Sequence, residues 1–141
     1  MSKSYISRFL RDVVRGLDKD RCAYCMTLSL LIGMALELDH IIPESRNGAT
    51  EIHNLCQICP QCNRHKYNKI DAQDPLSMKR VLLFHPRQQQ WHEHFIWSAD
   101  GILITGVTDV GRATVEALQM NNPFVVRSRR LWVRFGEHPP S

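Results

Sequence analysis

Long apolar runs are missing from this sequence. Its most apolar stretch, residues 28–36, contains Ser29 and Gly33 and stops at Glu37, well short of the ~18 residues that a membrane-spanning helix needs. The start of the chain places Arg8, Arg11 and Asp12 where a secretory leader would carry an unbroken apolar core. Internal repeats and low-complexity tracts are also absent, and neither sign of charge dominates. Lys and Arg number 18 against 14 Asp and Glu, for a net charge of +4 and a pI of about 8.9. That excess permits a polyanionic partner without demanding one. With 141 residues, 43% of them hydrophobic and 23% charged, the composition is globular and argues against wholesale disorder or a fibrous chain. The expectation is a cytoplasmic protein with no membrane partner. In that reducing setting five cysteines are not expected to form a disulfide framework.

Hydrophobic periodicity organises the chain. Ile6, Phe9, Leu10, Val13, Val14 and Leu17 share one helical stripe, which predicts an amphipathic helix over residues 5–17 with Arg8, Arg11 and Arg15 on its other face. Leu36, Leu38 and Ile41 predict a strand closed by Pro43, and Asn47-Gly48 marks a turn. Residues 52–58 read as a second strand, and Pro60 opens a basic helix over 62–69. Residues 71–76 read as a connector. Further on, Phe95-Ile96-Trp97 and Ile102-Leu103-Ile104 flank Asp100-Gly101 as a hairpin. Thr108 is placed to cap a helix through Leu118, and Pro123 to start a last helix stopped by Gly136.

Four of the five cysteines form two CxxC pairs, Cys22/Cys25 and Cys59/Cys62, leaving Cys56 over. CxxC lets two thiolates reach one ion from a tight turn, so two such pairs predict a structural Zn²⁺ with no open position for water. Such a site contributes on the order of 10 kcal/mol to folding. The pairs are separated by 33 residues, more than the ~15–20 of a plain zinc ribbon. Something sizeable is inserted between them, and it contains Asp39, His40 and Asn54.

Three blocks follow in order: Leu38-Asp39-His40-Ile41-Ile42-Pro43, Asn54-Leu55, and Ile58-Cys59-Pro60-Gln61-Cys62-Asn63-Arg64-His65-Lys66. Together they resemble the HNH nucleases, whose fold is the ββα-metal unit, and the paired CxxC motifs resemble the zinc-stapled branch of that family. The resemblance covers residues 20–69, about a third of the chain. It implies that His40 activates the attacking water, that Asn54 orients the histidine loop through hydrogen bonds, and that Asp39 and Asn63 bind a catalytic Mg²⁺ or Mn²⁺. Elementary chemistry points the same way. Histidine titrates near neutrality and suits a general base, and carboxylate and amide oxygens are hard donors suited to those cations. The family most often has histidine where Asn63 stands. An amide oxygen there tilts the site toward Mg²⁺ or Mn²⁺ and away from Zn²⁺ or Ni²⁺. His65 lies about 100° further round the helix than Asn63 and is not assigned as a ligand. His53 is treated as a bystander.

In the second half, Phe84-His85-Pro86-Arg87, Trp91, His94-Phe95-Ile96-Trp97 and Gly111-Arg112-Ala113-Thr114-Val115 are similar to the tail of short, stand-alone bacterial HNH proteins. No catalytic role comes with that likeness. His85, His92 and His94 lack the ligand spacing of a second metal site and read as packing or hydrogen-bonding residues of an aromatic-rich hairpin. Arg127, Arg130 and Arg134 recur at i, i+3 and i+7 with no acid between them. With Arg64, Lys66 and Lys69 they are the candidates for nucleic-acid backbone contact.

The expected architecture is α+β. Residues 1–70 would hold the N-terminal amphipathic helix and the ββα-metal core with its four-cysteine zinc knuckle. Residues 71–141 would form a C-terminal hairpin with helices, packed on the same globular body. The implied activity is metal-dependent hydrolysis of DNA phosphodiester bonds, with RNA as a further possible substrate; a single site would nick one strand. The alternative is a zinc-stabilised nucleic-acid-binding module without catalysis. The sequence leaves oligomeric state and cleavage specificity open.

Overall fold

The computed structural model describes residues 4–140. Helix α1 (Arg8–Asp18) starts where Ser7 Oγ accepts the Leu10 N–H at 3.2 Å and ends at Lys19 in the left-handed conformation. Its Val14 is fully buried, packed with Ile6 and Leu55, and burying one such side chain contributes about 1.5–3 kcal/mol. A tight turn carrying Cys22 and Cys25 follows, then a single helical turn, α2 (Ser29–Ile32), within the apolar stretch.

Strands β1 (Glu37–His40) and β2 (Leu55–Ile58) form an antiparallel pair with Asp39 opposite Cys56 and His40 opposite Leu55. The second strand is shorter than its sequence predicts. Residues Ile52–Asn54 form a 3₁₀ turn instead, because Asn54 spends its amide on tying the preceding loop. Helix α3 (Pro60–Lys66) has Cys59 as N-cap and Pro60 in its first turn, where a missing N–H costs nothing. Tyr67, at φ 51°, stops it before Lys69. Strand, strand and helix thus stand in the expected ββα order.

Residues 71–76 are not a plain connector. Strands β3 (Asp71–Gln73) and β4 (Arg80–Leu82) make a second hairpin. Arg80 Nη1 reaches Asp71 Oδ1 at 2.8 Å, and fully buried Asp74 accepts the Leu76 and Ser77 N–H groups in the turn. Asp74 also receives both nitrogens Nε and Nη2 of Arg112 at 2.9 Å, a long-range contact that fixes the turn.

A short helix α4 (Trp91–His94) leads into β5 (Phe95–Trp97), which pairs with β6 (Ile104–Gly106). The hairpin is the expected one, but its second strand starts two residues late. Ser98 Oγ and Asp100 Oδ1 bind the Ile102 N–H, and Ser98 Oγ also takes that of Leu103, which holds those residues in the loop. Thr108 caps α5 (Asp109–Ala117), and Asn122 caps α6 (Pro123–Arg134), with Gly136 beyond it at φ 76°.

One apolar cluster runs from Cys22 and Tyr24 through Ile58 to Phe84, Phe95, Leu118 and Met120, so both halves of the chain contribute to it. Polar ties join them as well. Trp91 Nε1 donates to the Tyr24 carbonyl at 2.7 Å, and Arg87 grips Asp18 with two nitrogens at 2.9 and 2.7 Å. No helix among the described residues is long and apolar enough to cross a membrane.

Candidate functional site

Four cysteines, the candidate zinc ligands, frame the site. Cys22, Cys25, Cys59 and Cys62 are buried and bring their sulfurs within 4.8 Å of one another, with Cys25 and Cys59 Sγ 3.6 Å apart. Tetrahedral Zn–S bonds of about 2.3 Å place sulfurs about 3.8 Å apart, so the cluster fits the ion. Thiol neighbours, Cys22 first, hold Cys25 well below the ordinary thiol value, while burial pushes Cys22 up. A zinc ion would resolve that competition by taking all four as thiolates. Cys56 lies outside the cluster on β2, its thiol raised by burial.

The cluster anchors both ends of the segment that carries the candidate active site. Between them, Asn54 closes the loop that follows β1. Its Oδ1 accepts the Ile42 N–H at 2.8 Å, and its Nδ2 donates to the Ile42 and Ala49 carbonyls at 2.9 Å each. Its own carbonyl accepts the Ile41 N–H at 2.8 Å. Asn54 is thus buried, with its side chain engaged in holding the chain next to His40. Gly48 completes the loop by close approach: a Cβ there would meet the Ile42 carbonyl oxygen at 1.7 Å.

His40 sits at the end of β1 and is 5% exposed. Its Nε2 lies 2.9 Å from Thr50 Oγ1 and 3.5 Å from Glu44 Oε1. Thr50 Oγ1 in turn donates to Glu44 Oε1 at 3.2 Å. Neither Thr50 nor Glu44 was marked by the sequence pattern, because loop residues four and ten positions away carry no periodic signal.

Asp39 and Asn63 both lie at the seam between β1 and α3. Asn63 Nδ2 donates to Glu37 Oε2 at 2.6 Å, a bond that does not use the amide oxygen Oδ1. Lys66, one helical turn on, places Nζ 2.9 Å from Asp39 Oδ2 and 3.3 Å from the His40 carbonyl. Glu37 and Asp39 share one face of β1 by the two-residue period of a strand. Glu37 was missed in the sequence, although an acid two residues before Asp39 was a usable signal. Carboxylate and amide oxygens are hard donors, the class that Mg²⁺ and Mn²⁺ take.

One expected nucleic-acid contact is corrected. Lys66 is 1% exposed and pairs with Asp39 inside the protein, so its ammonium does not face a phosphate. Arg64 and Lys69 are exposed, with Lys69 Nζ on the His65 carbonyl at 2.8 Å. Arg127, Arg130 and Arg134 are exposed along α6, while Arg129 between them is fully buried. Arg129 Nη1 donates to the Ile102 carbonyl and Asn121 Oδ1, and Nη2 to the Met120 carbonyl. Of the histidines read as packing residues, His94 Nδ1 meets Thr108 Oγ1 at 2.7 Å and His85 Nδ1 accepts the Arg87 N–H at 3.2 Å.

Residues 22–69 match the family model described as HNH endonuclease. The match begins at the first zinc-ligand cysteine and ends just beyond α3, so it encloses both cysteine pairs and every residue of the seam. No curated protein matches the chain.

Proposed function

We propose that the β1–β2–α3 seam is the active site of a metal-dependent endonuclease that hydrolyses DNA phosphodiester bonds. One observation carries this reading: a nearly buried imidazole is held by its Nε2 side, beside a hard-oxygen donor set, in a segment matching an HNH endonuclease model. A module that only binds nucleic acid needs the zinc staple and a basic surface. It has no use for a histidine loop tied down by every polar atom of Asn54.

In the proposed reaction His40 takes a proton from water, whose oxygen attacks the phosphorus as the bond to the leaving oxygen breaks. Asp39 and Asn63 Oδ1 would hold the Mg²⁺ or Mn²⁺ ion, which supplies Lewis-acid stabilisation of the leaving oxygen. Glu37 keeps the Asn63 amide turned so that its oxygen is available. Lys66 offsets part of the charge on buried Asp39. Asn54 and Gly48 keep the loop, and with it His40, in place. Arg64 and Lys69, together with Arg127, Arg130 and Arg134 on α6, are the proposed contacts to the substrate backbone, where guanidinium and ammonium groups displace counterions.

The test is cleavage of supercoiled plasmid in Mg²⁺ or Mn²⁺ by the parent and by His40→Ala, both verified as folded and zinc-loaded. The expected first product is nicked circle, with a loss of about 10²–10⁴ in rate for the variant. A parallel RNA substrate separates a DNase from an RNase. Equal cutting by both proteins would remove His40 from the mechanism. Binding without cutting by either would favour the binding module.

A further inference from the structure

Around His40 the hydrogen bonds admit only one consistent placement of protons. Thr50 has a single hydroxyl proton, and its Oγ1 lies 3.2 Å from Glu44 Oε1 and 2.9 Å from His40 Nε2. Glu44 is an anion that can only accept. Hydrogen bonds from Ser4, whose N–H reaches both carboxylate oxygens at 3.2 Å, hold its carboxyl below the usual value. The hydroxyl proton therefore goes to Glu44, and the Thr50 oxygen turns a lone pair toward Nε2. Were Nε2 unprotonated, three acceptors would face one another across 2.9, 3.2 and 3.5 Å, with one proton among them, in a partly buried corner where such orphans carry a cost.

We infer that Thr50 and Glu44 are positioning residues that fix the proton of neutral His40 on Nε2 and so leave Nδ1 as the nitrogen that receives the proton of water. Among the described residues no hydrogen bond engages Nδ1. The relay also holds the ring in orientation: Nε2 is gripped from the loop between β1 and β2, which Asn54 and Gly48 hold close against Ile42. The assignment rests on the nuclease reading for the use made of Nδ1, and on geometry alone for the location of the proton.

Two measurements test it separately. The first is the ¹⁵N side-chain spectrum of His40 in the zinc-loaded protein, free of Mg²⁺, on the alkaline side of the imidazole titration. The expected spectrum shows a protonated Nε2 and an unprotonated Nδ1 in the parent, with that preference abolished in Thr50→Val and restored in Thr50→Ser. The second is steady-state cleavage by the same proteins. Thr50→Val should lower kcat by about tenfold, less than the about 10²–10⁴ expected for losing the base, with KM and zinc content unchanged; Thr50→Ser should recover it. Glu44→Leu should behave like Thr50→Val.

A proton on Nδ1 in the parent, or a Thr50→Val protein with parental spectrum and kcat, overturns the relay. A protonated Nε2 in a protein that cuts neither DNA nor RNA overturns the nuclease reading, and with it the role given to Nδ1, while the hydrogen-bond assignment survives. Loss of kcat in Thr50→Ser equal to that in Thr50→Val would show a packing effect and also overturn it.

Discussion

Lys66 Nζ lies 2.9 Å from Asp39 Oδ2, with the two side chains only 1% and 8% exposed. Breaking such a buried pair from one side typically costs about 3–5 kcal/mol, because the remaining buried charge loses the group that offset it. Lys66→Met should therefore lower stability by about 3 kcal/mol. If Asp39 is a ligand for the catalytic cation, Mg²⁺ should restore part of that loss, and the Mg²⁺-dependent rise in Tm should be larger in Lys66→Met than in the parent. Asp39→Asn should show little rise. Equal Mg²⁺ shifts in all three proteins would place the cation elsewhere.

Zinc removal should act on the whole molecule and not on the knuckle alone. The four thiols sit inside the apolar cluster with Tyr24, Leu118 and Met120, and a structural zinc site contributes on the order of 10 kcal/mol. Metal analysis of the purified protein should give one zinc per chain. Chelation should abolish near-ultraviolet circular dichroism and cooperative unfolding together. A chelated protein that keeps both would show that the cluster folds without its ion.

Gly48 leaves no room for a side chain in the loop near His40. A Cβ would run into the Ile42 carbonyl oxygen at 1.7 Å and the Asn54 amide nitrogen at 2.8 Å. The first obstacle is backbone and cannot step aside, so Gly48→Ala must displace the loop. Cleavage should fall at least tenfold, in line with loss of a correctly placed base, while zinc content stays at the parental level. Full activity in Gly48→Ala would mean that the loop has slack and that its fixed position is unnecessary.

Much of the ββα core was legible because its signals are local: CxxC spacing, the Asp39-His40 pair before Pro43, and Pro60 after a cap. What sequence could not show was which partner each polar group takes across space. Lys66 looked like one more cation on a basic helix, yet α3 turns it onto β1, where Asp39 waits. Arg129 stood among four arginines of one helix, and only the carbonyls of Met120 and Ile102 distinguish it as buried. The β3–β4 hairpin escaped for a related reason. Asp71-Ala72-Gln73 has no apolar alternation, and its turn depends on Arg112 from α5.

Acid should weaken the fold through His138. Its ring is buried against Trp97 and Trp132, at centroid distances of 4.5 and 5.7 Å. Burial, helped by the Arg129 charge, lowers its pKa from 6.5 to about 4. As pH falls below 6.5 the unfolded chain takes up this proton while the folded chain does not until about 4, so stability declines across that window and the decline from this group ends below it. His138→Phe should flatten the slope of unfolding free energy against pH over the same range. Urea titrations at a series of pH values read it directly, and parallel slopes for parent and variant would exclude His138 as the cause.

The arginines of α6 offer a test of substrate contact that stability cannot mimic. Arg127, Arg130 and Arg134 are exposed, whereas Arg129 holds three oxygen acceptors inside the protein. Each cation that neutralises a phosphate adds about 0.9 to the steepness with which log affinity falls against log salt on duplex DNA. Replacing Arg127, Arg130 and Arg134 together by Gln should therefore weaken DNA binding and reduce that slope by about 2 to 3, with Tm nearly unchanged. Arg129→Gln should do the reverse: it leaves carbonyls buried without donors, so Tm falls, while the salt slope of the protein that remains folded stays parental. A triple variant with parental affinity and slope would take α6 out of the DNA interface and assign backbone binding to Arg64 and Lys69 beside the seam.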